Sequence, residues 1–243
     1  MENKISVAMA TYNGQKYINE QISSILQNLS ENDELVISDD GSNDNTLNII
    51  KSFEDKRIKL IQGPKNGIKK NFENAIRNTT GDIIFLSDQD DVWMENKVKT
   101  VKKYFNKDKE LTLVMHNAKI VNDKMERIEP YSTFKWRKSK TGVLHNIIKN
   151  CYVGCTMAFT KEIKEIILPI PDDINMHDQW IGILSDIYGK NMLVEDELID
   201  YRRHGDNNTG LNHTGLNEMF INRIKFIFEL NKRKKARRKE EKC

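Results

Sequence analysis

Gly81-Asp82-Ile83-Ile84-Phe85-Leu86-Ser87-Asp88-Gln89-Asp90-Asp91 decides the fold: an unbroken apolar run feeds directly into three carboxylates within four positions. A short apolar run bounded by turn residues reads as a strand buried on both faces. Three upstream segments repeat the form. Residues 5–10 close on Thr11-Tyr12-Asn13, residues 35–37 on Asp39-Asp40-Gly41-Ser42, and residues 58–61 on the breakers Gly63-Pro64 and Asn66-Gly67. Between them Ile18, Ile22, Ile25, Leu26 and Leu29 fall at helical spacing, and helices are expected over 46–53, 68–77 and 94–105. Strand–helix units of this length build a mostly parallel sheet with helices on both faces, and such sheets bind ligands at the carboxyl ends of their strands. All four polar clusters lie at those ends, so they are expected to converge on one crevice.

Downstream the pattern loosens. Strands are expected at 111–115, 155–159, 192–194 and 198–199, with another beginning at 119–121; a helix spans 177–188, and the polar, basic and aromatic stretch 131–141 reads as a loop. A helix from Gly215 onward ends in the charge block 232–239. One domain is expected over 1–214, with a nucleotide-binding half at 1–110 and a second half at 111–214, followed by a basic helical tail at 215–243. The 243 residues are 38% hydrophobic and 31% charged, as in soluble globular chains able to bury a large core. The net charge of +3 is uneven: residues 222–243 carry ten Lys or Arg against three acidic residues, which leaves the body mildly acidic. No nucleic-acid-binding surface on the body is implied. Cys151, Cys155 and Cys243 form neither a disulfide framework nor a metal-ligand spacing, and read as reduced thiols in a cytoplasmic setting. No leader peptide and no bilayer-spanning run is expected.

Three carboxylates at one strand end repel one another unless a cation neutralises them, and hard oxygen donors favour Mg²⁺ or Mn²⁺. The competing reading of Asp88-Gln89-Asp90-Asp91 is an acidic turn capping the next helix. Asp39-Asp40-Gly41-Ser42 is also ordinary turn chemistry. His177-Asp178 opens a helix, where Asp178 reads equally as a general base or as an N-terminal cap. Arg202-Arg203-His204-Gly205 reads as a diphosphate contact with His204 a metal ligand, or as an exposed basic loop.

Together these segments resemble family 2 glycosyltransferases of the GT-A fold. The likeness is carried by residues 6–14, 36–46 and 81–93, in the family's order. The later His177-Asp178-Gln179-Trp180 and Tyr201-Arg202-Arg203-His204 resemble a bacterial subgroup that builds surface polysaccharides and includes rhamnosyltransferases. The resemblance implies that Thr11, Tyr12, Asn13, Asp39, Asp40, Asn66, Gly67, Asp88 and Arg203 bind the nucleotide sugar. It makes Asp88 and Asp90 the metal-binding DxD pair, with His204 a further ligand of Mn²⁺ or Mg²⁺, and Asp178 the catalytic base. Many members carry Glu-Asp where this chain has His177-Asp178, which leaves the role of His177 open. The implied reaction is an inverting transfer from a UDP- or dTDP-sugar to a saccharide acceptor, lipid-linked and met at the inner face of the plasma membrane. The basic tail reads as a loose contact with that anionic surface, equally as a solvated charge block, or else as a nucleic-acid contact. Two other readings compete. Asp88-Gln89-Asp90-Asp91-Val92 satisfies the motif of haloacid-dehalogenase-type phosphatases, although that motif normally follows the first strand. The second is a nucleotide-sugar-binding protein that has lost catalysis.

Overall fold

The structure, a computed structural model, describes residues 3–204 and 216–240. The expected tail boundary at 214–215, Gly205 and Cys243 lie outside the described residues. Four parallel strands form the first half of a nine-stranded sheet: β1 (Ile5–Thr11), β2 (Glu34–Asp39), β3 (Ile58–Gln62) and β4 (Ile83–Ser87), in spatial order β3-β2-β1-β4. Register aligns Thr11 with Asp39, Asp39 with Gln62, and Met9 with Ser87, so the four polar clusters leave the sheet at one level. Helices α1 (Ile18–Asn28), α2 (Thr46–Ser52) and α3 (Gly67–Arg77) make the crossovers.

β1 is buried along its whole length. Alternation sends Ile5, Val7 and Met9 into one apolar cluster, with Ile18, Ile22 and Ile25 of α1, and sends Ala8 and Ala10 into the other, with Phe72 and Ile76 of α3. The sheet is therefore the middle layer of three.

The second half departs from expectation in several places. Residues 111–121 form one strand, β6 (Leu111–Val121), and the two short strands expected at 192–199 are one, β9 (Lys190–Arg202), which runs parallel to β6 through register shifts. The helix expected from Met94 is α4 (Lys97–Lys107), because Val92–Trp93 is a short strand, β5, paired antiparallel with β9. The stretch expected to be a loop holds the end of β7 (Arg127–Ser132) and the short helix α5 (Thr133–Arg137), which Ser132 caps by accepting from Lys135 N. Helix α6 (Val143–Ile148) follows. A single 3₁₀ turn at Gly154–Thr156 leads into β8 (Met157–Thr160), which joins the two halves antiparallel to both β4 and β6. Helix α7 (Lys161–Ile167) follows β8, and α8 (His177–Tyr188) lies where a helix was expected.

Helix α9 (Leu216–Glu240) docks through buried Phe226 and Leu230, with Phe226 edge-on to Trp180 of α8. It also exposes Phe220, Ile221, Ile224, Ile227 and Phe228, ahead of the charge block at 232–239. Trp180 is fully buried, and its indole N–H donates to Ile167 O at 2.9 Å. It thereby fixes the start of α8 against α7. Trp180→Ala is expected to cost about 3–5 kcal/mol through the cavity it leaves, measured as a shift in urea unfolding.

Candidate active site

The crevice is built from the strand ends inward. At the end of β1, Thr11 Oγ1 donates to Asp39 Oδ2 at 2.9 Å. Asp39 also accepts from Gly41 N, Ser42 N and Ser42 Oγ, which closes the turn after β2. Its carboxylate is buried and used by the turn. Asp40 faces outward and accepts from Lys65 N at 2.6 Å and Gly67 N at 3.0 Å, holding the loop that starts α3. Asn13 takes a left-handed conformation (φ 49°), as Asn tolerates, and accepts from Asn43 N. Tyr12 and Asn66 are exposed.

Two glutamines that the sequence did not single out hold the acidic loop. Gln21 of α1 donates to Ser87 Oγ and Asp88 O, both at 2.8 Å. Gln89 pairs with the backbone of Tyr12, accepting from its N–H at 3.0 Å and donating to its carbonyl at 3.1 Å. A Cβ at position 14 would meet Gln89 Oε1 at 2.4 Å, so Gly14 makes room for this clamp. Neither role leaves a local signal, since each partner is more than sixty residues away along the chain.

The carboxylates separate into two groups. Asp88, Asp91 and Cys155 present donor atoms that all lie within 4.8 Å of one another. Asp90 instead pairs with His204, at 2.9 Å from Oδ2 to Nε2. Asp91 is buried, its Oδ1 accepts from Arg202 N at 3.1 Å, and its Oδ2 has no hydrogen-bond partner. It does not cap a helix, because α4 begins only at Lys97 behind Asn96. Burial, with Asp90 and Asp178 nearby, raises Asp88 to about 7, and burial with Asp90 and Asp88 raises Asp91 well above the usual carboxylate range. Lys97 lies fully buried among them, with Nζ 3.8 Å above the Trp93 ring and donating to Cys155 O, and burial lowers it to about 7. Carboxylates held this close in a desolvated pocket, with one oxygen unpartnered, suit a divalent cation. Cys151 and Cys155 are free, buried thiols.

Asp178 stands across the crevice in the first turn of α8, behind an N-cap, Met176, that makes no side-chain cap bond. Its Oδ1 accepts from Asn150 Nδ2 at 3.2 Å and Gln179 N at 2.6 Å, and burial raises it to about 6. His177 stacks on Phe72 with centroids 4.1 Å apart, and burial holds it neutral, down to about 3. A shallow cleft lined by Ile148, Asn150, Gln179, Met219, Arg223 and Phe226 opens beside Asp178. Alternation at the end of β9 separates the three basic residues expected together. Arg202 donates to Asp90 O and pairs with Glu20, and His204 meets Asp90 and the Tyr17 ring, whereas Arg203 faces the indole of Trp136.

The family model described as Glycosyl transferase family 2 matches residues 6–167. Among relatives, an uncharacterized glycosyltransferase of Nostoc is 28% identical over 84% of this chain and 66% of its own length. The Escherichia coli UDP-Glc:alpha-D-GlcNAc-diphosphoundecaprenol beta-1,3-glucosyltransferase WfgD is 29% identical over 62% and 57%. The dTDP-rhamnosyl transferase RfbG of Shigella flexneri is 28% identical over 84% and 74%. The chain thus spans about two thirds of these relatives. In fold it is similar to S. aureus TarS 1–349 in complex with UDP-GlcNAc (TM-score 0.70, 21% identity, 87% of this chain and 62% of that one). It is also similar to a Pyrobaculum calidifontis mannosyltransferase in complex with GDP-Man and Mn²⁺ (TM-score 0.60, 18% identity, 81% and 55%). If Asp91 belongs to the cation cluster, Asp91→Asn should weaken Mn²⁺ binding about ten- to a hundredfold in a thermal-shift titration. Unchanged affinity would leave Asp91 outside the site.

Proposed function

Since the chain belongs to glycosyl transferase family 2, a family of enzymes, we propose that it transfers a sugar from a nucleoside diphosphate to a saccharide hydroxyl with inversion, in bacterial surface-polysaccharide synthesis. The observation that carries this reading is a buried carboxylate with raised basicity, Asp178, close enough to the acidic strand end for its charge to act on Asp88. The named relatives use UDP-glucose and a dTDP-rhamnosyl donor, and one acts on a diphosphoundecaprenol-linked sugar. These point to a UDP- or dTDP-sugar as donor and a lipid-linked saccharide as acceptor.

In this reading Thr11, Tyr12, Asn13, Asp40, Asn66 and Gly67 receive the nucleoside, while Asp39 acts through the turn it closes. Asp88, Asp90 and His204, joined by Asp91 and Cys155, surround the diphosphate end. Mn²⁺ or Mg²⁺ held by those carboxylates would offset the charge that develops on the departing diphosphate. Asp178 accepts the acceptor's hydroxyl proton as that oxygen attacks the anomeric carbon from the face opposite the leaving group. Asn150 keeps the carboxylate oriented, and burial keeps it basic and shielded from water. One carboxylate base suffices, unlike the paired carboxylates of glycosidases. A haloacid-dehalogenase phosphatase would instead require Asp88 as nucleophile, but Asp88 ends a fourth strand in a transferase family match.

The exposed apolar stripe of α9, with exposed Leu144 and Ile148 of α6 nearby and the basic residues 232–239 further along, matches an anionic bilayer surface, where a lipid-linked acceptor resides. Among the described residues no helix is long and apolar enough to cross a membrane.

Asp178→Asn should lower transfer by about 10²–10⁴-fold while nucleotide binding persists, read by transfer assay and calorimetry; full activity would remove Asp178 from the mechanism. Because its raised pKa leaves Asp178 protonated below about 6, transfer should fall roughly tenfold per pH unit under that point and level off above it. Replacing Phe220, Ile224 and Phe228 with Ser should reduce sedimentation with phosphatidylglycerol vesicles, and unchanged sedimentation would exclude this face as the contact.

A further inference from the structure

Trp136, partly buried near the end of α5, carries two guanidinium groups against one indole: Arg137 lies 4.0 Å and Arg203 5.0 Å from the ring centroid. One cation on an indole is ordinary packing. Two repel each other, and among the described residues neither has a carboxylate within salt-bridge distance. Arg137 Nε is also buried without a hydrogen-bond partner. A charged donor left unsatisfied in this way is costly unless an anion completes it.

The placement ties this pair to the base. Arg137's charge acts on Asp178 against the burial that raises it. The carbonyls of Arg137 and Lys138 accept from the Cys151 thiol, next to Asn150, whose side chain holds Asp178. Arg203 points away from Asp90, to which its neighbours Arg202 and His204 both turn. In the transferase reading the donor's diphosphate would thus have its own partners, apart from Arg203.

We propose that Arg137 and Arg203, framed by Trp136, form a binding site for a phosphoryl group of the acceptor and hold its hydroxyl toward Asp178. The assignment rests on the transferase reading. A guanidinium fork matches phosphate oxygens in a bidentate manner, which a lysine does not reproduce. The same chemistry serves a lipid carrier's diphosphate or a phosphodiester within a glycan.

Calorimetry separates the possibilities. Citronellyl diphosphate and glycerol 3-phosphate would each be titrated, in EDTA and without divalent metal, into the wild type, Arg137→Gln, Arg203→Gln and Arg137→Lys. UDP and dTDP with Mn²⁺ would be titrated separately into the same proteins. The wild type should bind at least one phosphoryl probe, with each Gln variant at least tenfold weaker, Arg137→Lys also weakened, and nucleotide affinity within twofold throughout. Tighter binding of citronellyl diphosphate assigns the site to a lipid carrier, and tighter binding of glycerol 3-phosphate assigns it to a phosphodiester. Equal probe binding in wild type and Gln variants, no probe binding by the wild type, or displacement of the probe by nucleotide with Mn²⁺ would each overturn the proposal. Failure of both nucleotides to bind the wild type would count instead against the transferase reading.

Discussion

Carboxylates crowded at the carboxyl end of a parallel sheet set the terms for everything around them. Two unit charges 4 Å apart interact by about 4 kcal/mol at the effective dielectric of a protein site, and here Asp88, Asp90 and Asp91 share one loop. The surrounding structure is largely a set of counterweights to that repulsion. Lys97 brings its amine through the core on a buried stem and rests it on the Trp93 ring, beside the carboxylates whose charge acts against its loss of basicity. Arg202 donates its backbone N–H to Asp91 and its side chain to the Asp90 carbonyl, and the β5–β9 pairing keeps it there. Gln21 and Gln89 fix the backbone between the charges, so repulsion cannot relax by moving the loop.

The first hundred residues were legible because β1, β2 and β4 are buried on both faces and read as nearly continuous apolar runs, while the edge strand β3 is half-buried and still ends in clear breakers. Each run stops at a turn cluster, so strand ends and candidate ligands coincided. Which member of a cluster would face the crevice was not legible. Asp39 and Asp40 are adjacent and chemically identical, yet Asp39 spends its oxygens on its own turn while Asp40 turns outward to hold residues 65–67. Sequence spacing cannot separate them, since the choice depends on Thr11 arriving from β1.

The second half was harder because its strands carry polar residues inside. β6 contains His116, Asn117 and Lys119, which break the apolar run and made one strand look like two. Asn117 is buried, and its Oδ1 accepts from Ala118 N, Thr133 Oγ1 and Phe134 N, which anchors the start of α5. A residue that reads locally as a breaker is the tertiary anchor of the segment expected to be a loop. β9 was divided in the same way by Glu195, Asp196 and Glu197, two of which meet partners on other elements: Tyr104 for Asp196 and Arg127 for Glu197.

The residues at the end of β9 and just beyond it turn to two different neighbours. Period-two alternation sends Arg202 and His204 to the acidic loop and Arg203 to Trp136, so a shift of one residue would exchange the faces. The Arg202–Asp91 and Arg203–Val121 backbone bonds, both made by main-chain N–H groups, hold that register. The consequence reaches Asp178. Burial raises its basicity, while Arg137 opposes the rise. An acceptor anion seated on Arg137 would screen that cation, so the base would strengthen when the acceptor arrives and weaken when only water is present. Burial alone would make Asp178 equally ready for either nucleophile. In the proposed reading, a cation beside it, answered by the acceptor's own charge, would favour transfer over hydrolysis.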